Sequence, residues 1–213
     1  MNEFNERKKK EKIFKNYSKQ RDFLKILLLN LSLIKGITFR GYSIQEIAEF
    51  LPKAIDGPEG EGDEPLPESL FWVLLTGEFP SPEEFEEISA EFKNRAELSE
   101  DLKSYIKNLP SDMHPMTQLS STLLFLQPTS KFDKAVKEGI NQNDHWEYVL
   151  EDALNLLAKI PRIAAYIYRH TYRNNEFIEA DPNLDWAGNF AHMLGYKDYE
   201  IRECIRGYLS IHS

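Results

Sequence analysis

Cysteine is almost absent from this sequence: among 213 residues there is one, Cys204. A single thiol excludes an intramolecular disulfide framework and fits a reducing compartment. Because a lone cysteine in a helical pattern is far more typical of core packing than of a nucleophile, we predict a packing role for Cys204 and no redox chemistry.

Long hydrophobic runs and an excess of positive charge are also lacking. The longest strongly apolar run, residues 26–34, is interrupted by Asn30 and Ser32 and is shorter than the roughly 20 residues that a membrane helix needs. No small-residue cleavage site follows it, so neither a membrane span nor a secretory signal is predicted. The net charge of −9 and the pI near 5.2 argue against nucleic acid as a partner, because phosphate binding rests on clustered Lys and Arg.

Metal-binding spacings are missing as well. The sequence has five histidines: His114, His145, His170, His192 and His212. None of them forms a recognised metal spacing with another His, Cys or paired carboxylate, and most are predicted to be structural. The acidic, Gly- and Pro-rich residues 56–68 lack the ligand order of a helix–loop–helix calcium site, so we predict a surface loop there and no metal.

Two charged regions leave alternatives open. Residues 1–35 form a basic segment on an acidic protein; a solvated peripheral helix is favoured, and a targeting peptide or an anionic-surface patch are the alternatives. Arg162, Arg169 and Arg173 are predicted to cluster on one helix. They either hold an anionic group or, as we favour, form a solvated face or ion pairs to the acidic loop.

What the sequence does have is helical periodicity almost throughout, with no strand pattern longer than a few residues, so the predicted class is all-α. Several short helices begin at prolines, and Gly77 closes one of them. Ser43 and Glu46 have the capping-box spacing. The longest helix is predicted over residues 144–172, with a kink at Pro161, since an interior proline clashes with the carbonyl four residues before it.

One helix is defined more sharply than the others, from His114 to Leu126. His114 is suited to cap it and Pro115 to start it, and Pro128 ends it. Four apolar residues recur at steps of three and four and predict a buried stripe: Met116, Leu119, Leu123 and Leu126. The small residues Ser120, Ser121 and Thr122 would allow a second helix to approach closely.

Many short segments, in order along the chain, resemble segments of citrate synthases of the eukaryotic, mitochondrial type. They are Phe39-Arg40-Gly41-Tyr42-Ser43-Ile44, Leu51-Pro52-Lys53-Ala54, Glu64-Pro65-Leu66-Pro67-Glu68 with Leu70-Phe71-Trp72, His114-Pro115-Met116 with Gln118-Leu119-Ser120, Trp146-Glu147 with Glu151-Asp152, Ile167-Tyr168-Arg169, Leu184-Asp185-Trp186, Met193-Leu194-Gly195-Tyr196 and Tyr208-Leu209-Ser210-Ile211-His212-Ser213. The resemblance covers residues 36–213 and is specific, because so many matches in order indicate common ancestry.

This resemblance implies an acyltransferase of the tricarboxylic acid cycle that condenses acetyl-CoA with oxaloacetate to citrate in the mitochondrial matrix. Acetyl-CoA is a substrate there, and no cofactor is expected. The family fold is a large helical domain with a small domain that closes over the substrates, and the family works as a dimer. The helix from His114 to Leu126 resembles one that packs across the dimer interface, so a homodimer, or self-association, is expected through it.

Departures from the family pattern lead us to expect an incomplete enzyme. Residues 36–213 resemble the N-terminal part of the large domain, whereas the family's catalytic residues lie beyond the segment that His212 opens. Gln142 stands where many members have a basic CoA-binding residue. We therefore assign no catalytic residue, no metal ligand and no substrate-binding residue, and expect the 213-residue chain to be inactive alone. The alternative is a non-catalytic paralogue that serves as a helical interaction or assembly subunit.

Overall fold

The computed structural model describes residues 37–58 and 60–211, and the basic segment predicted at residues 1–35 lies outside them. Within these ranges the chain is helical apart from one short β-hairpin, which confirms the all-α prediction. The elements are β1 (Thr38–Phe39), β2 (Tyr42–Ser43), α1 (Ile44–Phe50), α2 (Pro67–Thr76), α3 (Pro82–Arg95), α4 (Glu100–Lys107), α5 (Pro115–Phe125), α6 (Lys131–Lys137), α7 (His145–Tyr172), α8 (Trp186–Leu194) and α9 (Tyr199–Ile211).

Contacts along the chain define two compact units in the described part: residues 37–88 with 206–211, and residues 89–205. None of the described helices is both long and apolar enough to cross a membrane. The assignment of residues 36–213 to one partial domain stays a prediction.

The first unit begins with the hairpin and the capped helix α1. Strands β1 and β2 pair antiparallel through a turn in which Arg40 and Gly41 have φ values of 54° and 98°. Both values are positive, as in the turn type that matches the twist of two-residue hairpins. Ser43 then caps α1 by accepting from the Glu46 amide, and the Glu46 carboxylate accepts from the Ser43 amide, so the predicted capping box is confirmed.

Helix α2 supplies the core of this unit. Pro67 begins it at a position where a backbone N–H would have had no partner, and Gly77 ends it at φ 80°. Leu70 and Val73 of this helix are fully buried and pack with Phe39, Ile47 and Leu51. The predicted helix that begins at a proline and is closed by Gly77 is therefore confirmed.

The acidic segment before α2 is not a surface loop along its whole length. Lys53 and Pro65 form a β-bridge, and the residues from Pro65 to Glu68 are buried. Asp56 forms a two-pronged ion pair with the buried Arg206 guanidinium, in which two N···O distances are 3.0 Å. The prediction is wrong for the end of the segment because Pro67 starts the helix there and carries Glu68 into the core.

In the second unit, α7 runs past α4, α5, α6 and α8 and contacts all four. Its core contains six residues from α4, the segment just before it and α7: Leu98, Leu102, Ile106, Ile163, Tyr166 and Ile167. Asp185 caps α8 by accepting from the Gly188 amide, and Gly195 ends that helix at φ 105°. These caps agree with the sequence pattern.

Helix α7 continues through Pro161 over 28 residues. A proline removes the N–H that would bond the carbonyl four residues earlier, here the carbonyl of Leu157. The indole Nε1–H of Trp186 donates to that carbonyl at 3.3 Å. A side chain of α8 thus replaces the missing backbone donor, while the predicted kink stays a prediction.

Candidate functional site

Helix α5 begins as the sequence predicts. The Nδ1 atom of His114 accepts from the Met116 amide at 3.2 Å, and Pro115 occupies the first turn. The helix ends at Phe125, before a short 3-10 turn that contains Pro128. The cap and the proline therefore determine where this helix starts.

The buried side of α5 is more polar than predicted. Gln118 is 0% exposed, and its amide donates to the Met113 carbonyl at 2.8 Å and to the Thr171 hydroxyl at 3.1 Å. The equally buried Thr122 donates to the Gln118 carbonyl at 2.7 Å. Leu119, Leu123 and Leu126 flank this line and pack, partly buried, against the core. Hydrogen bonds inside the unit therefore hold α5 along its inner line.

The opposite side of α5 is apolar and faces outward. Met116 and Leu124 are 61% and 74% exposed. The predicted buried stripe is consequently wrong for Met116, because the polar pair Gln118 and Thr122 occupies the inner line and turns Met116 outward. Phe125 lies on another side of the helix and stacks on Tyr105, with ring centroids 4.5 Å apart. We call Met116, Ser120 and Leu124 the outward face of α5.

The serine hydroxyls on and beside this outward face already form hydrogen bonds within the helix. The hydroxyl of Ser120 donates to the Met116 carbonyl at 2.9 Å, and that of Ser121 donates to the Gln118 carbonyl at 3.0 Å. A hydroxyl already bonded within its own helix can lose its remaining contact with water at small cost. The face is therefore suited to burial against another apolar surface.

The predicted arginine cluster does not form. Arg162 donates to Glu97, Arg169 donates to the carbonyls of Glu176 and Leu194, and Arg173 donates to the Tyr168 hydroxyl. Arg162 and Arg169 are buried, so the solvated-face interpretation is wrong for them as well. Their partners are Glu97 before α4, the carbonyls of Glu176 and Leu194, and Tyr168 of α7 itself, not residues 56–68. The three arginines share one side of α7 but lie at different heights along it, so each meets a different partner.

The Arg162–Glu97 pair belongs to a small charged network beside α4. Lys103 lies 3.1 Å from the other carboxylate oxygen of Glu97. Burial acts to raise the pKa of Glu97, but the hydrogen bonds from Arg162 and Lys103 outweigh it and lower that pKa. Nearby, burial and a hydrogen bond with Glu179 raise the pKa of the Tyr166 hydroxyl to about 12. Glu97 is thus held charged and Tyr166 neutral.

The described histidines have structural positions. His114 is the cap of α5, and the buried His170 ring has its nitrogens 2.9 Å from the Leu109 carbonyl and 2.7 Å from the Asn175 side-chain oxygen. His145 and His192 are half-buried, while His212 lies outside the described residues. Over residues 37–58 and 60–211, no group of three or more His, Cys, Asp or Glu side chains is arranged to hold a metal ion.

Two further predicted positions are on the surface. Gln142 is exposed in the short 3-10 turn Gln142–Asp144. Cys204 is exposed on α9, so its predicted role in core packing is wrong; its position on that helix turns the thiol outward, which a periodic pattern with a single cysteine does not reveal.

The sequence did not predict the long-range hydrogen bonds and ion pairs that Glu151 and Asp152 form. The Asp152 carboxylate accepts from the Lys131 and Phe132 amides at the start of α6, at 2.8 and 3.1 Å, and from the Ser130 hydroxyl at 2.6 Å. Glu151 pairs with Arg95 and Lys131 at 3.1 and 2.8 Å. Adjacent acids on α7 thus connect it to α3 and α6, and only long-range contacts could show this.

Helices of this kind and order are also found in known proteins. A family model described as the citrate synthase C-terminal domain matches residues 24–213. The chain belongs to the citrate synthase family. The match begins before residue 36, so the similarity is longer than the quoted motifs indicate.

Mitochondrial citrate synthases are among the similar curated proteins. The enzyme of Tetrahymena thermophila is 50% identical over 180 residues, which are 84% of this chain and 39% of that protein. Citrate synthase 4 of Arabidopsis thaliana is 45% identical over 190 residues, covering 88% of this chain and 39% of that protein. The enzyme of Xiphias gladius is 47% identical over 180 residues, covering 84% and 37%. The chain therefore spans about two fifths of the length of these citrate synthases.

Solved structures agree. The citrate synthase of Pyrobaculum aerophilum matches 82% of this chain and 40% of its own, with a TM-score of 0.67 and 27% identity. That of Thermotoga maritima has a TM-score of 0.57 at 21% identity, covers 81% of this chain and 39% of its own, and shows the shared fold alone.

Proposed function

We propose that this chain is the N-terminal, mainly large-domain portion of a mitochondrial citrate synthase and that it forms a homodimer through the outward face of α5. The full-length family condenses acetyl-CoA with oxaloacetate to citrate, with acetyl-CoA as a substrate and no cofactor. The mitochondrial names of the three relatives support a place in the mitochondrial matrix. The quoted motifs and their order support the N-terminal position.

The proposed dimer is inferred from the exposed apolar side of α5. Two large apolar side chains, Met116 and Leu124, project from one short helix whose inner line is already occupied by Gln118 and Thr122. Contiguous exposed apolar surface marks an interaction site more often than isolated apolar residues do. Symmetric dimers use the same patch on both subunits, and Ser120 at the centre of this face allows close approach.

The proposed interface is tested by the mass of the particle in solution. Sedimentation of the 213-residue chain at micromolar concentration should show a dimer, and Leu124→Glu should shift it to the monomer, since a carboxylate would have to lose its water at the interface. The matched control is Ile55→Glu in the first unit, because Ile55 is 87% exposed and lies on a loop. A monomeric wild type, or an equal shift for both variants, would refute the proposed interface.

We further propose that the 213-residue chain alone does not release CoA from acetyl-CoA in the presence of oxaloacetate. This proposal rests on its span of about two fifths of the catalytic relatives. Thiol release measured with Ellman's reagent should equal the no-protein control, and turnover clearly above that control would contradict it. The interaction-subunit alternative predicts the same dimer; it differs in predicting no coding sequence for the family's catalytic residues after the Ser213 codon.

A further inference from the structure

A cleft of about 240 Å³ lies within the second unit, between α3, α7, α8 and the segment before α8. Its walls are mostly apolar and include Phe92, Ala158, Pro161, Trp186 and Met193. Phe92 and Trp186 meet edge to face, with ring centroids 5.8 Å apart. Such a cleft is suited to hold a flat apolar group.

One buried cation lines this cleft. Arg162 is 8% exposed, and its Nη1 donates to Glu97. Its Nε–H has no partner among the described residues although the atom is shielded from solvent. A guanidinium offers five N–H donors, and an unpaired donor on a buried charged group is costly. The Arg162 guanidinium beside the cleft therefore has donor capacity that the described residues do not use.

The acidic partner of Arg162 and two polar groups that line the cleft, Asp181 and Asn189, are already engaged. Lys103 shares the Glu97 carboxylate, so the negative charge beside Arg162 is divided between two cations. The Asp181 carboxylate accepts from the Asn183 amide and side chain at 2.9 and 3.0 Å. The Asn189 side chain bonds the Asp181 backbone at both ends. With Lys93 also at its wall, the cleft is better suited to an anion than to a cation.

We propose that this cleft binds a small aromatic monocarboxylate, with the carboxylate on Arg162 and the ring between Phe92, Trp186 and Met193. Guanidinium is the side chain that best matches carboxylate geometry. An apolar cavity of about 150 Å³ holds benzene, so the larger cleft has room for one ring with a short acid chain. This site is separate from the outward face of α5 and does not depend on the proposed dimer or on condensation activity.

The probe for this site is 3-phenylpropionate, titrated into the 213-residue chain by calorimetry, with 3-phenylpropanamide as its uncharged partner. The acid should bind saturably, and the amide at least about tenfold more weakly, because hydrogen bonds to charged groups contribute roughly 1.5–3 kcal/mol. Arg162→Met should weaken binding of the acid to a similar extent. No saturable binding of the acid up to about 10 mM, or equal binding of acid and amide, would overturn the proposal.

Two control variants separate a ligand anchor from a structural arginine. Glu97→Gln removes the ion pair but keeps Arg162, and the acid should bind as tightly or more tightly. Ala96→Leu keeps both charges but fills the cleft that Ala96 lines, and binding should be lost. If Glu97→Gln abolishes binding as Arg162→Met does, or if Ala96→Leu leaves it unchanged, the proposed site is wrong. Circular dichroism of each variant verifies folding, and the acid–amide comparison on the wild type decides the matter if Arg162→Met does not fold.

Discussion

Helices α2 and α5 both begin with a proline in the first turn, yet they bury different residues. In α2 the apolar Leu70 and Val73 are fully buried, together with the polar Glu68 and Ser69 of its first turn. In α5 the fully buried residues are the polar Gln118 and Thr122, whereas Leu124 is largely exposed. The comparison shows that an apolar residue at helical spacing identifies a helix but does not say which side meets the core. Partner residues decide that.

The largest expected effect on the free energy of unfolding comes from comparing a leucine of α2 with a leucine of α5. Leu70→Ala should lower the free energy of unfolding of the first unit by about 2–5 kcal/mol, because it leaves a cavity in a closed core. Leu124→Ala, measured where the chain is monomeric, should change it by less than about 0.5 kcal/mol. Urea denaturation followed by circular dichroism measures both. Similar losses for the two variants would break the contrast between α2 and α5.

A smaller effect is expected from the polar inner line of α5. Gln118→Leu keeps a similar volume but leaves the Met113 carbonyl and the Thr171 hydroxyl without this donor. Unmade hydrogen bonds in buried sites should cost roughly 1–3 kcal/mol of unfolding free energy.

The matched control on the same helix is Ser120→Ala. Its hydroxyl bonds within the helix and is exposed, so the change should stay within about 0.5 kcal/mol. If Gln118→Leu left the free energy of unfolding unchanged or raised it, the hydrogen bonds of Gln118 would not stabilise the protein, and the contrast with α2 would fail.

The smallest expected effect concerns a proline in the middle of a helix rather than at its start. Trp186→Phe should cost stability in the wild type, since the Leu157 carbonyl loses the indole N–H. In a Pro161→Ala background the helix regains its own N–H donor, so the same change should cost less. The double-mutant coupling should be about 0.5–1 kcal/mol, measured by urea denaturation of all four proteins. A coupling near zero would show that the indole hydrogen bond does not compensate for Pro161.

Local signals in the sequence predicted the element boundaries well. The capping box of Ser43 and Glu46, the cap at His114, the start at Pro115 and the stop at Gly77 all appear where the residues indicate. These features depend on hydrogen bonds and dihedral angles within a few residues, so the sequence contains all the information that they need. The family was likewise readable from the order of short motifs.

Predictions about burial and assembly of side chains were less successful. Met116 and Cys204 are exposed instead of buried, and Arg162, Arg169 and Arg173 have separate partners instead of one site. The signal that could have revealed the Arg162 cleft is its position within the apolar run Ile160–Ala165, where a buried charged side chain needs a partner of opposite charge. That partner, Glu97, is far away in sequence and could not be identified from spacing.

By itself, then, the amino-acid sequence determined the helical class, where the helices begin and end, and the family. Only the tertiary structure decided which side of α5 faces outward, that Trp186 replaces the donor missing at Pro161, and that Arg162 lies in an apolar cleft with one N–H unused. The reason is physical. Caps and periods arise from neighbours along the chain, whereas burial and hydrogen-bond satisfaction depend on residues that packing brings together from distant positions.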